Sequence, residues 1–224
     1  MAIALYGGSF DPIHIGHLIT ATNAVENYNL DKVIFIPSHI TPLKDRNLDA
    51  SDVDRYEMIQ RSIKNNPKFI VSDYEINNDG VSYSYNTVKY FKDTYQDEKI
   101  YFIIGTDRAK DLKKWYNIEE LSKLVTFIFV ARDGEKLEDI VEKDDFYKGI
   151  DYEIMISPII EISSSLIRNR IKQNKKIDYK FYTILTFAIL IILITIFANY
   201  LAPYNPDYQN YEAISQAPNS IYLL

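Results

Sequence analysis

Short apolar runs alternate with helix-patterned segments along most of this chain, and that alternation restricts the fold more than any other feature. Lys32 to Pro37 carries Val33, Ile34, Phe35 and Ile36 without interruption, as a parallel strand buried on both faces does. Ala2 to Tyr6, Phe69 to Val71, Ile100 to Ile104, Val125 to Val130 and Tyr152 to Ile156 read as further strands. Leu18 to Tyr28, Asp52 to Asn65, Glu119 to Leu124 and Glu135 to Asp144 read as the helices between them. Another helix opens near Ser82 and runs to about Tyr95, with serine hydroxyls placed to cap it, and Ser163-Ser164-Ser165 caps a last one through Lys172. This order predicts an α/β fold: a doubly wound, mostly parallel sheet with helices on both faces.

Ligands of such sheets bind beyond the carboxyl ends of the strands. Gly7-Gly8, Pro37-Ser38, Gly105 to Asp107 and Arg132 all follow strands and can converge on one rim. The densest of these stretches is Leu5-Tyr6-Gly7-Gly8-Ser9-Phe10-Asp11-Pro12-Ile13-His14-Ile15-Gly16-His17. Gly7 and Gly8 let backbone N–H groups approach a ligand with no Cβ between. His14 and His17 lie three residues apart at a helix start, where they share a face if the turn is helical. Exposed helix N–H groups attract phosphate, and two imidazoles beside them can donate to phosphoryl oxygens. The bland alternative is a strand-to-helix turn with incidental histidines, yet two of the chain's three histidines sit here.

Composition removes several classes. The net charge of −6 argues against broad nucleic-acid binding, though not against a local phosphate site. There is no cysteine, hence no disulfide, thiolate zinc site or cysteine nucleophile. Met1-Ala2-Ile3 leads directly into a strand, so no signal peptide is expected.

The motifs closely resemble one family, the bacterial nicotinate-nucleotide adenylyltransferases of the nucleotidylyltransferase superfamily, over residues 1 to 177. His14-Ile15-Gly16-His17 together with Ile162-Ser163-Ser164-Ser165-Leu166-Ile167-Arg168 is similar to the superfamily mark. Those two motifs alone would also admit a pantetheine-phosphate adenylyltransferase or a cytidylyltransferase. Gly7 to Pro12, Gly80-Val81-Ser82-Tyr83-Ser84, and Gly105-Thr106-Asp107 followed by Trp115-Tyr116 narrow it. The resemblance implies a Rossmann-like nucleotidylyltransferase fold, ATP and nicotinate mononucleotide as substrates, and transfer of AMP to the mononucleotide phosphate. Pyrophosphate and nicotinate adenine dinucleotide, one step short of NAD, would be the products. Mg²⁺ would accompany ATP, held mainly by phosphates and water, since no acidic cluster resembles a dedicated metal cage.

The substrate phosphate is already an adequate nucleophile, so catalysis reduces to positioning and charge stabilisation. By the resemblance His14, His17 and Arg168 are the catalytic group, with Arg168 offering a bidentate fork to the leaving phosphates. Gly7, Gly8, Ser9, Phe10, Gly105, Asp107, Ser163 and Ser164 join Arg168 in binding ATP. Arg170 and Lys172 read as solvated. For Asp107, a ribose contact and a helix N-cap are both open; for Trp115, stacking on the pyridine ring and plain core packing are both open. Ser84 and the backbone at Tyr116 match positions that receive the nicotinate carboxylate, which would favour nicotinate over nicotinamide mononucleotide. Lys44 matches a substrate-phosphate contact, but Pro42-Leu43-Lys44 stands where the family often has Pro-His-Lys. His39 either substitutes in part for that histidine or is an ordinary loop residue.

The resemblance stops after Ile177. Residues 178 to 224 form an appendage, in which Phe181 to Ala202 is an uncharged run of 22 residues. At about 1.5 Å per residue it can cross a bilayer's roughly 30 Å apolar core as an appended C-terminal hydrophobic helix. Lys172, Lys175, Lys176 and Lys180 precede it and no Lys or Arg follows, so as a spanning helix it would keep the enzyme domain cytoplasmic, tethered to the inner face of the membrane; a buried hydrophobic helix, a fusion or frameshift product and an artificial join are the alternatives. Residues 181 to 224, with Leu201-Ala202-Pro203-Tyr204-Asn205-Pro206, resemble the start of an oligopeptide or dipeptide ABC-transporter permease. No transport by this tail alone is expected. An enzyme preferring nicotinamide mononucleotide, and a non-catalytic membrane-tethered nucleotide-binding module, are the rival expectations. A homo-oligomer is compatible with all of them.

Overall fold

Six parallel strands stand in the order β3-β2-β1-β4-β5-β6 in the computed structural model. They are β1 (Ala2–Gly8), β2 (Lys32–Pro37), β3 (Phe69–Val71), β4 (Lys99–Gly105), β5 (Thr126–Arg132) and β6 (Tyr152–Ser157). The structure describes residues 1–40, 48–78, 80–132, 141, 144–158, 160–173 and 190. The helices are α1 (Ile15–Asn27), α2 (Asp52–Ile63), α3 (Ser84–Thr94), α4 (Thr106–Lys110), α5 (Ile118–Leu124) and α6 (Ser164–Lys172). Short 3₁₀ turns at Leu112–Lys114 and Asp145–Gly149 had no signature in the sequence.

Strand alternation sorts the core into two layers. Ile3, Leu5, Ile34, Ile36, Phe102 and Phe127 face one way and meet Val88 and Phe91 of α3 and Leu121 of α5. Ala4, Val33, Phe35, Tyr101, Ile103 and Ile128 face the other way and meet Ala21 and Ala24 of α1 with Ile59 and Ile63 of α2. Successive side chains on a strand point to opposite faces, so a strand apolar at every position must be covered twice. Helices on both sides do this. The order reverses between β1 and β4, and that junction is where a doubly wound sheet opens a crevice at its carboxyl edge.

Two boundaries differ from expectation for local reasons. Helix α1 begins at Ile15 rather than Leu18, because His14 is extended (φ −146°, ψ 171°) and already serves as N-cap. Helix α3 has Tyr83 as N-cap with no side-chain bond, so the expected serine cap is absent. Ser82 N–H donates to the Ile40 carbonyl at 2.8 Å, and its hydroxyl accepts from the His39 N–H at 3.1 Å. The strand exit has taken that serine instead.

Residues Met1–Gln173 form one compact unit. Among the described residues no helix is long and apolar enough to cross a membrane. Lys44, all of the run at 181–202 except Leu190, and all but two of the residues expected as a helix at 135–144 lie outside the described residues.

Candidate active site

A cavity of about 380 Å³ opens at the carboxyl ends of β1 and β4. It collects Gly7, Gly8 and Ser9 from the exit of β1, Gly105 from the end of β4, and Ser84 from the first turn of α3. Trp115 and Tyr116 close its outer side. The Tyr116 ring lies 4.6 Å from that of Tyr83, and Trp115 meets Phe102 edge-on at 6.1 Å. Trp115 packs against the core and also lines the cavity. Its Nε1 is buried with no hydrogen-bond partner among the described residues.

Glu75 and Arg108, which sequence reading did not single out, also border this cavity. Burial pushes the Glu75 carboxyl above the usual range, although hydrogen bonds from Thr87 and Ser82 and the charge of Arg55 oppose it. The Arg108 guanidinium borders the cavity with no hydrogen bond or ion pair among the described residues.

A second cluster forms where α1 begins. His17 Nδ1 accepts the His14 backbone N–H at 3.2 Å, so the neutral His17 ring carries its proton on Nε2. The two imidazoles stack with centroids 3.9 Å apart. Burial holds the His14 pKa below the ordinary histidine value, and its Nδ1 is buried without a full hydrogen bond. Gly16 explains itself here. A Cβ on it would lie 3.1 Å from the His14 ring and 3.8 Å from Ile162. Any side chain at that position would displace His14.

Distant motifs meet at this cluster. The Ser164 hydroxyl donates to the Pro12 carbonyl at 2.8 Å across 152 positions of sequence, and Arg168 Nη1 donates to the Asp11 carbonyl. Ser163 caps α6 by accepting from the Leu166 N–H at 3.2 Å. Arg168, however, is not an open fork. It is 9% exposed; Nη2 donates to Ser165 Oγ at 3.0 Å and Nε contacts Asp49 Oδ2 at 2.8 Å, with Asp11 Oδ2 at 3.7 Å from Nη1. Lys172, expected to be solvated, holds the other Asp49 oxygen at 2.7 Å. Asp11 in turn accepts the N–H groups of Asp49 and Ala50 at 3.0 and 3.1 Å. Asp49 thus occupies the guanidinium as an anionic substrate would.

Other expected residues lie elsewhere. The Phe10 ring is 2% exposed and packs among Tyr6, Phe35 and His17, so only its backbone, held at φ +44°, remains for a ligand. Its ring also requires Gly8, where a Cβ would come within 3.2 Å of it. Asp107 is exposed in the first turn of α4, does not line the cavity, and is not the N-cap, which is Gly105. His39 Nδ1 meets the Asp52 carboxylate, and the residue does not line the cavity. Arg55, with 0% exposure, donates to the Ser9 and Ser38 carbonyls at 2.7 Å each. Its only sequence signal was the spacing of Asp52 and Arg55, three apart on one helix.

Comparison with known proteins agrees with this geometry. A family model described as cytidylyltransferase-like matches residues 5–170. A probable nicotinate-nucleotide adenylyltransferase of Clostridium novyi is 42% identical over 178 residues, covering 78% of this chain and 89% of that protein. Its counterpart in Aliarcobacter butzleri is 42% identical over 171 residues, covering 76% and 88%. Among solved structures, Plasmodium falciparum nicotinic acid mononucleotide adenylyltransferase complexed with NaAD superposes with a TM-score of 0.59 at 25% identity, over 75% of this chain and 82% of that one. A second family model, the N-terminal TM domain of oligopeptide transport permease C, matches residues 181–218.

Proposed function

The chain belongs to the nicotinate-nucleotide adenylyltransferases, within the cytidylyltransferase-like family, and from that premise we infer that it transfers AMP from ATP to nicotinate mononucleotide. The mononucleotide phosphate oxygen attacks the α-phosphorus of ATP. A new P–O bond forms as the bond to the bridging oxygen breaks, and pyrophosphate leaves with nicotinate adenine dinucleotide as the other product. The observation that carries this reading is the joining of the glycine turn to the start of α6 through Ser164 and Pro12, beside an aromatic-walled cavity.

At the phosphate end, His17 Nε2–H donates to a phosphoryl oxygen, because its Nδ1 is already committed to the backbone. His14 is held neutral by burial and supports the His17 ring by stacking. The N-terminus of α6 and Arg168 take the leaving phosphates once these displace Asp49. At the other end, the nicotinate ring lies against Trp115 with its carboxylate toward Ser84 and the Tyr116 backbone. Mg²⁺ would enter with the triphosphate, held mainly by its phosphates and water, and would neutralise charge on the leaving group. Lys44 is assigned to the mononucleotide phosphate. The run at 181–202 is assigned to the membrane, leaving the catalytic unit cytoplasmic.

The test is pyrophosphate release by the full-length chain with ATP, Mg²⁺ and either mononucleotide. Turnover with nicotinate mononucleotide, and a lower kcat/KM with the nicotinamide form, is expected. ATP binding without turnover would replace this reading with that of a non-catalytic module. Membrane pelleting that resists alkaline carbonate tests the tail separately.

A further inference from the structure

A continuous polar chain runs beneath the cavity, and none of its central members takes part in the transfer just described. Arg55 of α2 is fully buried. Its Nη1 donates to the Ser9 carbonyl at the exit of β1, and its Nη2 to the Ser38 carbonyl at the exit of β2, each at 2.7 Å. Nη2 also bonds Asp52 Oδ1, and the His39 ring bonds the other oxygen of that carboxylate through Nδ1. A carboxylate accepts, so the neutral His39 ring carries its proton on Nδ1. The His39 backbone N–H donates to Ser82 Oγ at 3.1 Å. Ser82 in turn bonds Glu75, which accepts from Thr87 Oγ1 on α3 at 2.7 Å. The chain therefore starts at the glycine turn and ends in the helix whose first residue, Ser84, lines the cavity.

Burying Arg55, Glu75 and Thr87 is a poor way to stabilise a core, because apolar packing of equal volume does as well or better. The anchoring points are more telling than the burial. Ser9, Ser38, Ser82 and Glu75 all border the cavity, whereas His39, Asp52 and Arg55 do not. Asp52 and Arg55 lie one turn apart on a single helix, so a rigid element carries the middle of the chain.

We propose that His39, Asp52 and Arg55 are positioning residues, a bridge that fixes the Ser9 side of the cavity against the Ser82–Ser84 side so that the two substrates meet in line. The proposal rests on the adenylyltransferase reading. In-line displacement loses rate steeply when its reactants are misplaced by an ångström, even where each binds well alone. Loosening the bridge therefore lowers kcat more than it weakens either substrate.

The experiment uses the full-length chain. In Asp52→Asn, kcat per folded molecule is expected to fall about tenfold, with both KM values within about threefold of wild type. His39→Ala is expected to behave likewise, and His39→Asn, whose amide still donates to Asp52, to recover most of the rate. Folded fractions come from circular dichroism melts. Quenching of Trp115, the single tryptophan, reports mononucleotide binding independently of turnover. If Asp52→Asn does not fold, the contrast between His39→Ala and His39→Asn decides by the same split. A lowered melting temperature with unchanged kcat per folded molecule would overturn the bridge, because a merely structural brace behaves so. Wild-type turnover with the His39 and Asp52 variants all within twofold overturns the bridge alone. A wild type that neither turns over nor is quenched overturns the adenylyltransferase reading and the bridge with it.

Discussion

The two ends of the site are built from different materials and solve different problems. At the phosphate end the polar groups are already engaged within the chain: Arg168 with Asp11, Asp49 and Ser165, Ser164 donating to Pro12, and Ser163 Oγ accepting from the Leu166 N–H of its own helix. At the cavity end the walls are rings, the Arg108 side chain and one buried carboxylate, arranged around open space. A triphosphate carries several charges and can displace a carboxylate that is 41% exposed. A pyridine ring carries little charge and cannot open a closed wall, so its space must exist beforehand. Electrostatic contacts can be exchanged on binding, while apolar shape must be prepared. Variants at the two ends should therefore fail in different ways.

The largest effect is expected at the phosphate end. His17→Ala removes a donor aimed where charge develops, and losses of that kind run to about 100- to 1,000-fold in kcat. The mononucleotide KM should stay near wild type, because that substrate is held at the other end. Steady-state kinetics checks both numbers. A KM effect without a kcat effect would show that His17 only binds.

Next in size is Trp115→Ala. Losing a stacking surface weakens ring binding by roughly 1–3 kcal/mol, so the nicotinate mononucleotide KM should rise about tenfold or more with little change in the ATP KM. Substrate titrations at saturating partner measure this. Equal rises for both substrates would mean that Trp115 supports the core and not the ligand.

Asp49→Asn should move the other way and gain affinity. Partly exposed ion pairs are worth about 0.2–1 kcal/mol, so freeing Arg168 should lower the ATP KM no more than about fivefold. Raising the salt concentration should narrow the gap between variant and wild type, because the competing pair is itself screened. An unchanged or higher ATP KM would show that Asp49 helps hold Arg168 in place for the substrate.

The same contrast decides what the sequence could reveal. Val33 to Ile36 declared a doubly covered strand because composition and burial coincide there. The pairing of His14 and His17 at one helix start was legible because it is local, set by that start and one ring contact. Arg55 was not. On paper it is one more cation on the charged helix α2, and its burial depends on carbonyls at Ser9 and Ser38, 46 and 17 positions away. Arg168 was found, but its partner Asp49 lies 119 positions earlier and nothing local announces the pair. Phe10 misled for a related reason: its motif marks a ligand-side loop, while a positive φ turns the ring into the core. Residues acting through neighbours in sequence can be read, and those acting through tertiary partners need coordinates.

The smallest expected effect concerns the cavity's carboxylate and its bridge partner, which should respond to pH in opposite senses. Glu75 has a folded pKa raised by burial, so the folded state binds its proton more tightly than the unfolded chain does. Its contribution to stability is fully present below the ordinary glutamate value and is lost as pH rises through the raised value. Asp52 is the reverse. Burial alone would raise its pKa, but hydrogen bonds from His39 and Arg55 and the Arg55 charge outweigh that and leave it lowered. Its contribution is present above the ordinary aspartate value and fades as pH falls through the lowered one. Glu75→Gln removes the first titration and keeps an oxygen that can accept from Thr87. Melting temperatures of wild type and variant should thus lie closest in mild acid, and the wild type should fall relative to the variant as pH rises. Taking the difference between the two curves cancels the other titrating groups. A flat difference would mean that the folded and unfolded pKa values of Glu75 coincide, the bonds from Ser82 and Thr87 and the Arg55 charge cancelling the effect of burial.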